Sequence, residues 1–421
     1  MDQLLKLLPI MTATTIPVSE YRRSEANLRW FKDQTYNFEI LRSLGESTYG
    51  GAEIGEVLSA ISGVKAGDDE AWYQGWHRVA AMVENRAATL DNPVSRGKAM
   101  LRASNYYRTA EFFLNPADER RLPTFDKSVE TFYDALGDLK ITHQIFYIPY
   151  ESKQLKAVYF PGSQGAPSRP LIVAHGGYDS TLEELYFLIA AAALERGYSA
   201  LIFTGPGQGA AIRKYGLQFT SEWEKPTGAV LDQFIEQFGK PKKIVLVGAS
   251  MGGYLAPRAA AYDKRIDGVA AFDVCYDFQE AALRKVPIFL RNLYNKGYTG
   301  VIDRLLNMKM KSSPGVRWGV QNAKWTMGAK SPSDLLHIFD QYNLKDESKL
   351  ITCDVLIAAG EKDHHFPIQQ VETFQSALIN ARSVTTRIFT EQEGGHEHCQ
   401  MGAISLFHEF FFDWVEKTFS V

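Results

Sequence analysis

Ile244-Val245-Leu246-Val247-Gly248-Ala249-Ser250-Met251-Gly252-Gly253 is the stretch on which the reading of this chain turns. The run 244–247 is short, wholly apolar and rich in β-branched residues, as in a strand buried on both faces. Residues 252–262 follow at once as an alanine-rich helix. A serine between glycines at such a strand-to-helix turn has its hydroxyl lifted out of the backbone, because larger flanking side chains would collide there. The helix N-terminus favours negative charge beside Ser250, and the N–H of Met251 faces the place where an oxyanion would form. A Gly-x-Ser-x-Gly pentapeptide alone is weak, and the plainer reading is a structural turn. The strand before and the helix after favour a nucleophile.

Outward from this point the same texture repeats. Short apolar runs lie at 171–174, 200–203, 268–272, 355–358 and 386–389, with helix candidates at 182–196, 227–238, 252–262 and 367–380. Strand–helix alternation of this kind implies an α/β fold: a mainly parallel sheet with helices on both faces. Segments 142–150 and 155–160 read as an additional strand pair around a polar turn at 151–154. Two stretches stand outside the alternation. Residues 1–140 show helical spacing (Ile54, Val57, Leu58, Ile61; then Trp72, Trp76, Val79, Ala80, Val83; then a helix through Tyr106, Tyr107, Arg108 and Phe112), with Asp69 and Ser128 as expected N-caps. Residues 278–345 form a helix-rich insertion, read as a lid. The expected organisation is an N-terminal helical domain, 1–140, and a catalytic domain, 141–421, carrying that lid.

Composition agrees with a larger-than-single-core protein. The chain has 421 residues, against a single core that stops growing at roughly 250–300. Its net charge of −3 supplies no overall field for nucleic acid or an anionic membrane. Three scattered cysteines, Cys275, Cys353 and Cys399, make neither a disulfide framework nor a zinc motif. The apolar stretch Leu4–Met11 is broken by Lys6 and Pro9 and lacks a basic start, so no secretory signal is expected. These features point to a cytoplasmic protein with no nucleic-acid or membrane partner. The helical front is a possible homodimer surface.

A serine nucleophile needs a base, and the base an orienting acid. Asp363 follows the run 355–358, where a loop acid belongs; Asp273, after 268–272, is the alternative. The base lies in Gly394-Gly395-His396-Glu397-His398-Cys399-Gln400, and spacing does not choose between His396 and His398. His175-Gly176-Gly177-Tyr178, after the run 171–174, supplies backbone amides of Gly177 or Tyr178 for the other half of an oxyanion hole; a plain Gly-Gly turn is the bland alternative. Ser180 and Glu183 are an expected capping box. Gly205-Pro206-Gly207-Gln208-Gly209-Ala210 mimics a dinucleotide fingerprint, but Pro206 and the missing ribose-binding acid favour a tight loop at the active edge. His364, His365, His396 and His398 raise the thought of a metal. No His-Glu-x-x-His helix accompanies them, and neighbouring histidines should diverge, so no metal or cofactor is expected. Phe289, Tyr294, Tyr298, Trp318 and Trp325 are read individually as lid core and together as a sign of a bulky apolar ligand.

These motifs, with Gly51-Ala52-Glu53-Ile54-Gly55-Glu56-Val57 and Tyr106-Tyr107-Arg108, resemble a family of α/β-hydrolases with an N-terminal helical domain. It includes bacterial 2,6-dihydroxypseudooxynicotine hydrolase and fungal hydrolases that shorten polyketide chains. The resemblance implies the α/β-hydrolase fold, His398 as the base, Asp363 as the acid, and no cofactor. It also places Asp179 at a substrate-binding position, where the nicotine-degrading relative carries a glutamate. The implied activity is cleavage of a C–C bond beside an activated carbonyl, or of an ester or lactone, in a bulky small molecule of secondary metabolism. A cyclase, condensing enzyme or acyl transferase on the same scaffold is the alternative.

Overall fold

The computed structural model describes residues 29–420 except 164, 166, 167 and 285; Leu4–Met11 lies outside these. Eight strands form one sheet: β1 Gln144–Tyr150, β2 Lys153–Phe160, β3 Leu171–His175, β4 Ala200–Thr204, β5 Ile244–Ala249, β6 Gly268–Phe272, β7 Asp354–Gly360 and β8 Ser383–Phe389. Their order is β1-β2-β4-β3-β5-β6-β7-β8. The pairs β1–β2 and β2–β4 are antiparallel, and every other pair is parallel. The β1–β2 turn is tighter than expected. Only Glu151 and Ser152 connect the strands, both at positive φ (44° and 59°), as a two-residue hairpin with strand-matching twist requires.

The apolar runs are buried on both sides because alternate residues enter different cores. Leu171, Val173, Leu201, Phe203 and Leu246 pack on one face with the helices Glu224–Phe238 and Gly252–Tyr262. Ile172, Ala174, Ala200, Ile202, Val245 and Val247 pack on the other with Leu182–Glu195 and the terminal helix Ile404–Phe419. Such two-sided burial is why these strands read as continuous apolar runs rather than alternations.

Among the described residues five α-helices precede the sheet: α1 Gln34–Gly45, α2 Ile54–Ala60, α3 Asp69–Ala87, α4 Pro93–Glu111 and α5 Arg121–Asp138. The expected caps shift. Asp68, not Asp69, caps α3 by accepting the N–H of Ala71, while Asp69 accepts from Tyr36 Oη at 2.6 Å. Ser128 lies inside α5, where its hydroxyl donates to Ser104 O and Ser104 Oγ donates to Ser128 O, both at 2.8 Å. A small, buried polar residue at a helix crossing looks like a cap in sequence. Between β6 and β7 run five further helices, from Phe278 to Phe339. No helix among the described residues is long and apolar enough to cross a membrane.

Candidate active site

The site forms where β3, β5, β6 and β7 end. Ser250 adopts a left-handed backbone (φ 63°) between β5 and its helix, a conformation that costs an ordinary residue energy and persists only where its surroundings enforce it. Packing shows how. A Cβ at Gly248 would stand 2.0 Å from Gly252 O, and one at Gly253 would stand 1.7 Å from Asp273 O. The glycines let strand, turn and helix approach without side chains between them.

His398 Nε2 lies 2.8 Å from Ser250 Oγ, and His398 Nδ1 lies 2.7 Å from Asp363 Oδ2. The structure therefore brings together Ser250, Asp363 and His398. His396 has a different place: its carbonyl accepts the N–H of Lys362 at 3.0 Å, and its ring faces Glu397. Asp363 Oδ1 also accepts the N–H groups of His365 and Phe366 at 2.6 and 3.1 Å. This turn curls the loop, so the His364 and His365 rings lie 4.0 Å apart instead of diverging as an extended backbone would require.

Both carboxylates expected near the base are present, in unlike environments. Burial opposes charge on Asp363, but the adjacent His398 more than offsets it and holds this carboxyl below its ordinary value. Burial, then the charge of Asp363, pushes Asp273 up to about 8. Asp273 is fully enclosed; its oxygens accept from Cys399 N at 2.8 Å and Gln400 Nε2 at 3.0 Å. Asp273 Oδ2 is 3.5 Å from His398 Nδ1, outside the 2.7 Å contact of Asp363. The two acids that flank the imidazole are thus pushed apart, Asp363 toward its ionised form and Asp273 toward its neutral form, as like charges in a shared buried site require. Burial works against a charged His398, yet Asp363 carries its proton affinity well above that of free imidazole. Ligand atoms of Asp273, His398 and Cys399 come within 4.8 Å of one another. His398 is already engaged with Asp363 and Ser250, Asp273 with Cys399 N and Gln400 Nε2, and Cys399 Sγ with Phe272 O.

The Gly176–Tyr178 loop packs onto the elbow. A Cβ on Gly177 would lie 2.6 Å from Met251 N, and one on Gly176 would lie 1.9 Å from Ser180 Oγ. Gln208 Nε2 donates to the carbonyls of Gly176 and Gly177 at 2.8 and 2.9 Å, while its Oε1 accepts from Gly205 N. A planar trans peptide points its N–H opposite to its C=O. This clamp therefore turns the N–H groups of Gly177 and Tyr178 away from Gln208. Sequence reading did not single out Gln208; its signal was the very Gly-Pro-Gly-Gln-Gly motif read as a tight loop. That loop has no room for a pyrophosphate, since Cβ atoms on Gly205 and Gly207 would meet the rings of Trp223 and Phe219 at 2.4 and 2.1 Å. Ser180 and Glu183 do not form a capping box: the helix has no side-chain cap, and Glu183 faces Lys156.

The front helices reach the same site. Phe38 of α1 packs its ring 5.8 Å from that of His398. Arg42 of α1 donates to Glu184 at 2.5 and 2.7 Å and to Asp179 at 2.6 Å. Arg108 of α4 joins Glu39 and Glu184, both at 3.1 Å. Asp179 is therefore tied to Arg42 beside the loop. Opposite, Trp318 stacks on Phe112 at 4.7 Å and meets Tyr178 edge-on at 5.9 Å. Trp325 lies under Arg121 and Arg213. Phe289 and Tyr298, expected in a lid core, are instead 61% and 55% exposed.

Residues 171–403, which hold all of these loops, match the alpha/beta hydrolase family. The chain belongs to that family. This α/β-hydrolase is 34% identical to Hydrolase acrC of Aspergillus aculeatus over 93% of its own length and 98% of the relative's. It is 33% identical to the 20-hydroxy-prefusarin hydrolase FUS2 of Gibberella moniliformis, over 93% and 98%. The crystal structure of 2,6-dihydroxy-pseudo-oxynicotine hydrolase shares the fold of this α/β-hydrolase, front helices included, at a TM-score of 0.69. Sequence identity there is 19%, covering 89% of this chain and 95% of that one.

Proposed function

We propose that this α/β-hydrolase is a serine hydrolase that cleaves a C–C bond beside an activated carbonyl, or an ester or lactone, in a bulky polyketide-like or aromatic small molecule of secondary metabolism. The observation that carries the reading is the continuous Ser250–His398–Asp363 hydrogen-bond chain of 2.8 and 2.7 Å. Relatives named as hydrolases, one of them acting on 20-hydroxy-prefusarin, support the substrate class.

In this mechanism His398 Nε2 takes the Ser250 proton as Oγ attacks the carbonyl carbon, and Asp363 stabilises the imidazolium that results. The N–H of Met251 and that of Gly177 or Tyr178 stabilise the oxyanion. Collapse expels an enolate from a β-dicarbonyl, or an alkoxide from an ester, and His398 Nε2–H protonates it. Water, deprotonated by His398, then attacks the acyl-enzyme, which releases a carboxylic acid and restores Ser250. Phe38, Tyr178 and Trp318 give the surroundings of the reacting bond an aromatic character suited to a large apolar substrate. Asp179, held by Arg42, orients the polar end of that substrate.

Labelling by a fluorophosphonate probe should fall on Ser250, and Ser250→Ala should lower kcat by about 10⁴-fold or more while binding persists. Turnover unchanged in that variant would sink the covalent mechanism.

A further inference from the structure

The helices between β6 and β7 include a pair that buries very little of itself. Ile288–Asn295 buries no residue, and Thr299–Ser312 buries only Ile302. Ile288, Phe289, Tyr298, Val301 and Met308 are 72%, 61%, 55%, 46% and 60% exposed. Single exposed apolar residues are ordinary, but four on two consecutive helices and a fifth, Tyr298, between them are not. The charged residues of this pair are as one-sided. Residues 288–312 hold five basic side chains (Arg291, Lys296, Arg304, Lys309, Lys311) and one acid, Asp303, in a chain whose total is −3. Arg304, Lys309 and Lys311 are exposed, and none forms an ion pair among the described residues. Asp303 is occupied in accepting the N–H of Ser333 at 2.7 Å. Val301, Arg304, Met308 and Lys311 follow one another at spacings of three and four, so they share one helical face.

We propose that this basic, apolar tip is a docking surface for an anionic lipid bilayer. A face that mixes protruding apolar side chains with lysine and arginine lies well in the headgroup region. The apolar groups enter the acyl boundary and the cations meet phosphate and carboxylate groups. A second copy of the chain fits poorly, because a two-fold contact would set this basic surface against itself. Protruding side chains also need no matching groove in a bilayer, whereas a protein partner would have to supply one. The near-neutral sum of the sequence conceals the patch, since membrane attraction depends on local charge within a Debye length. Docking would occur next to the active site: after Ser313 the chain enters the helix Pro314–Met327, where Gly319 O accepts from Tyr178 Oη at 2.7 Å and Asn322 Nδ2 donates to Tyr178 O at 3.2 Å. An apolar substrate dissolved in the membrane would then meet the enzyme where it enters.

The test is sedimentation of the full chain with phosphatidylcholine vesicles, with and without about one-third phosphatidylserine. The protein should pellet with the anionic vesicles and stay in solution with the neutral ones. R304E/K311E and I288E/F289E should each lower the partition coefficient about ten-fold or more, with melting temperature and turnover of a water-soluble ester unchanged. No binding by the unaltered chain, or equal binding by the variants, would overturn the proposal. So would a shift from dimer to monomer in the variants without any vesicle binding, which would assign the surface to self-association. Because no residue of the triad is changed, failure here would leave the hydrolytic reading standing.

Discussion

At His398 two acids compete to be the partner of one imidazole, and their environments separate the roles. Asp363 is ionised and 2.7 Å from Nδ1; Asp273 is 3.5 Å away and favours its neutral form. Asp363→Asn should therefore lower kcat/KM by about 10³–10⁴-fold, and Asp273→Asn by far less, about 10-fold. The pH dependence carries a further sign. His398 is a base only when neutral, and Asp363 raises its proton affinity, so kcat/KM should climb with pH through a value above the ordinary imidazole range. In Asp363→Asn that limb should move to lower pH, because the charge that held the proton is gone. A pH–rate profile of the two variants measures both effects; an unmoved limb in Asp363→Asn would reject the assignment. The sequence had narrowed the acid to these two residues and the base to two histidines. Choosing between the histidines from residues alone was out of reach, because His396 and His398 both follow β8 on one loop and only its folding aims one of them at Ser250.

Among the elements, the elbow was legible and its supports were not. Gly248 and Gly253 are demanded by backbone approaches of 2.0 and 1.7 Å, and glycine leaves a visible mark in sequence. Gln208 is marked only by the glycines around it, since an amide that binds two carbonyls across the fold itself resembles any surface glutamine. Yet it is fully buried, and its loss would free both peptides of the oxyanion loop. Gln208→Ala should lower kcat by about 10²-fold, the order of one oxyanion donor, while KM changes little. A loss confined to KM would show that Gln208 serves binding alone. Helix α1 was missed for a different reason. Nine of its twelve residues are buried, including Asn37, Glu39, Arg42 and Ser43. With polar side chains turned inward as well as apolar ones, no periodic stripe distinguishes a core face from a solvent face.

Across the whole molecule, the front helices and the sheet are joined by charge in a dry setting. Arg42 and Arg108 stand among Glu39, Glu184 and Asp179, and burial raises the proton affinity of both Glu39 and Glu184. Removing one cation from such a group leaves buried carboxylates uncompensated, so Arg42→Ala should destabilise the fold by about 3–5 kcal/mol. The sign with pH follows from the raised carboxyls. Their protonated forms are tolerated in the folded state, so the defect should be smaller near pH 5 and larger near pH 8, by about 1 kcal/mol or more. Thermal unfolding at both pH values checks this; a pH-independent loss would mean that packing, not charge, is at stake. Sequence arithmetic had shown that the chain was too long for one simple core. What it did not contain was the link between the parts, because ion pairs such as Arg42–Glu184 join residues far apart in sequence and have no local pattern.

The contact of Phe38 with His398, together with Gln34 Nε2 donating to Glu397 Oε2 at 3.3 Å, also has a bearing on how the chain is made. Helix α1 leaves the ribosome some 360 residues ahead of the loop it covers. Arg42 waits only some 140 residues for Asp179 and Glu184, but the Phe38 ring waits for His364, His365 and His398. Contacts of such separation are slow to form and leave apolar surface open to aggregation. His398 can thus be covered by Phe38 only after all eight strands of the sheet have been synthesised.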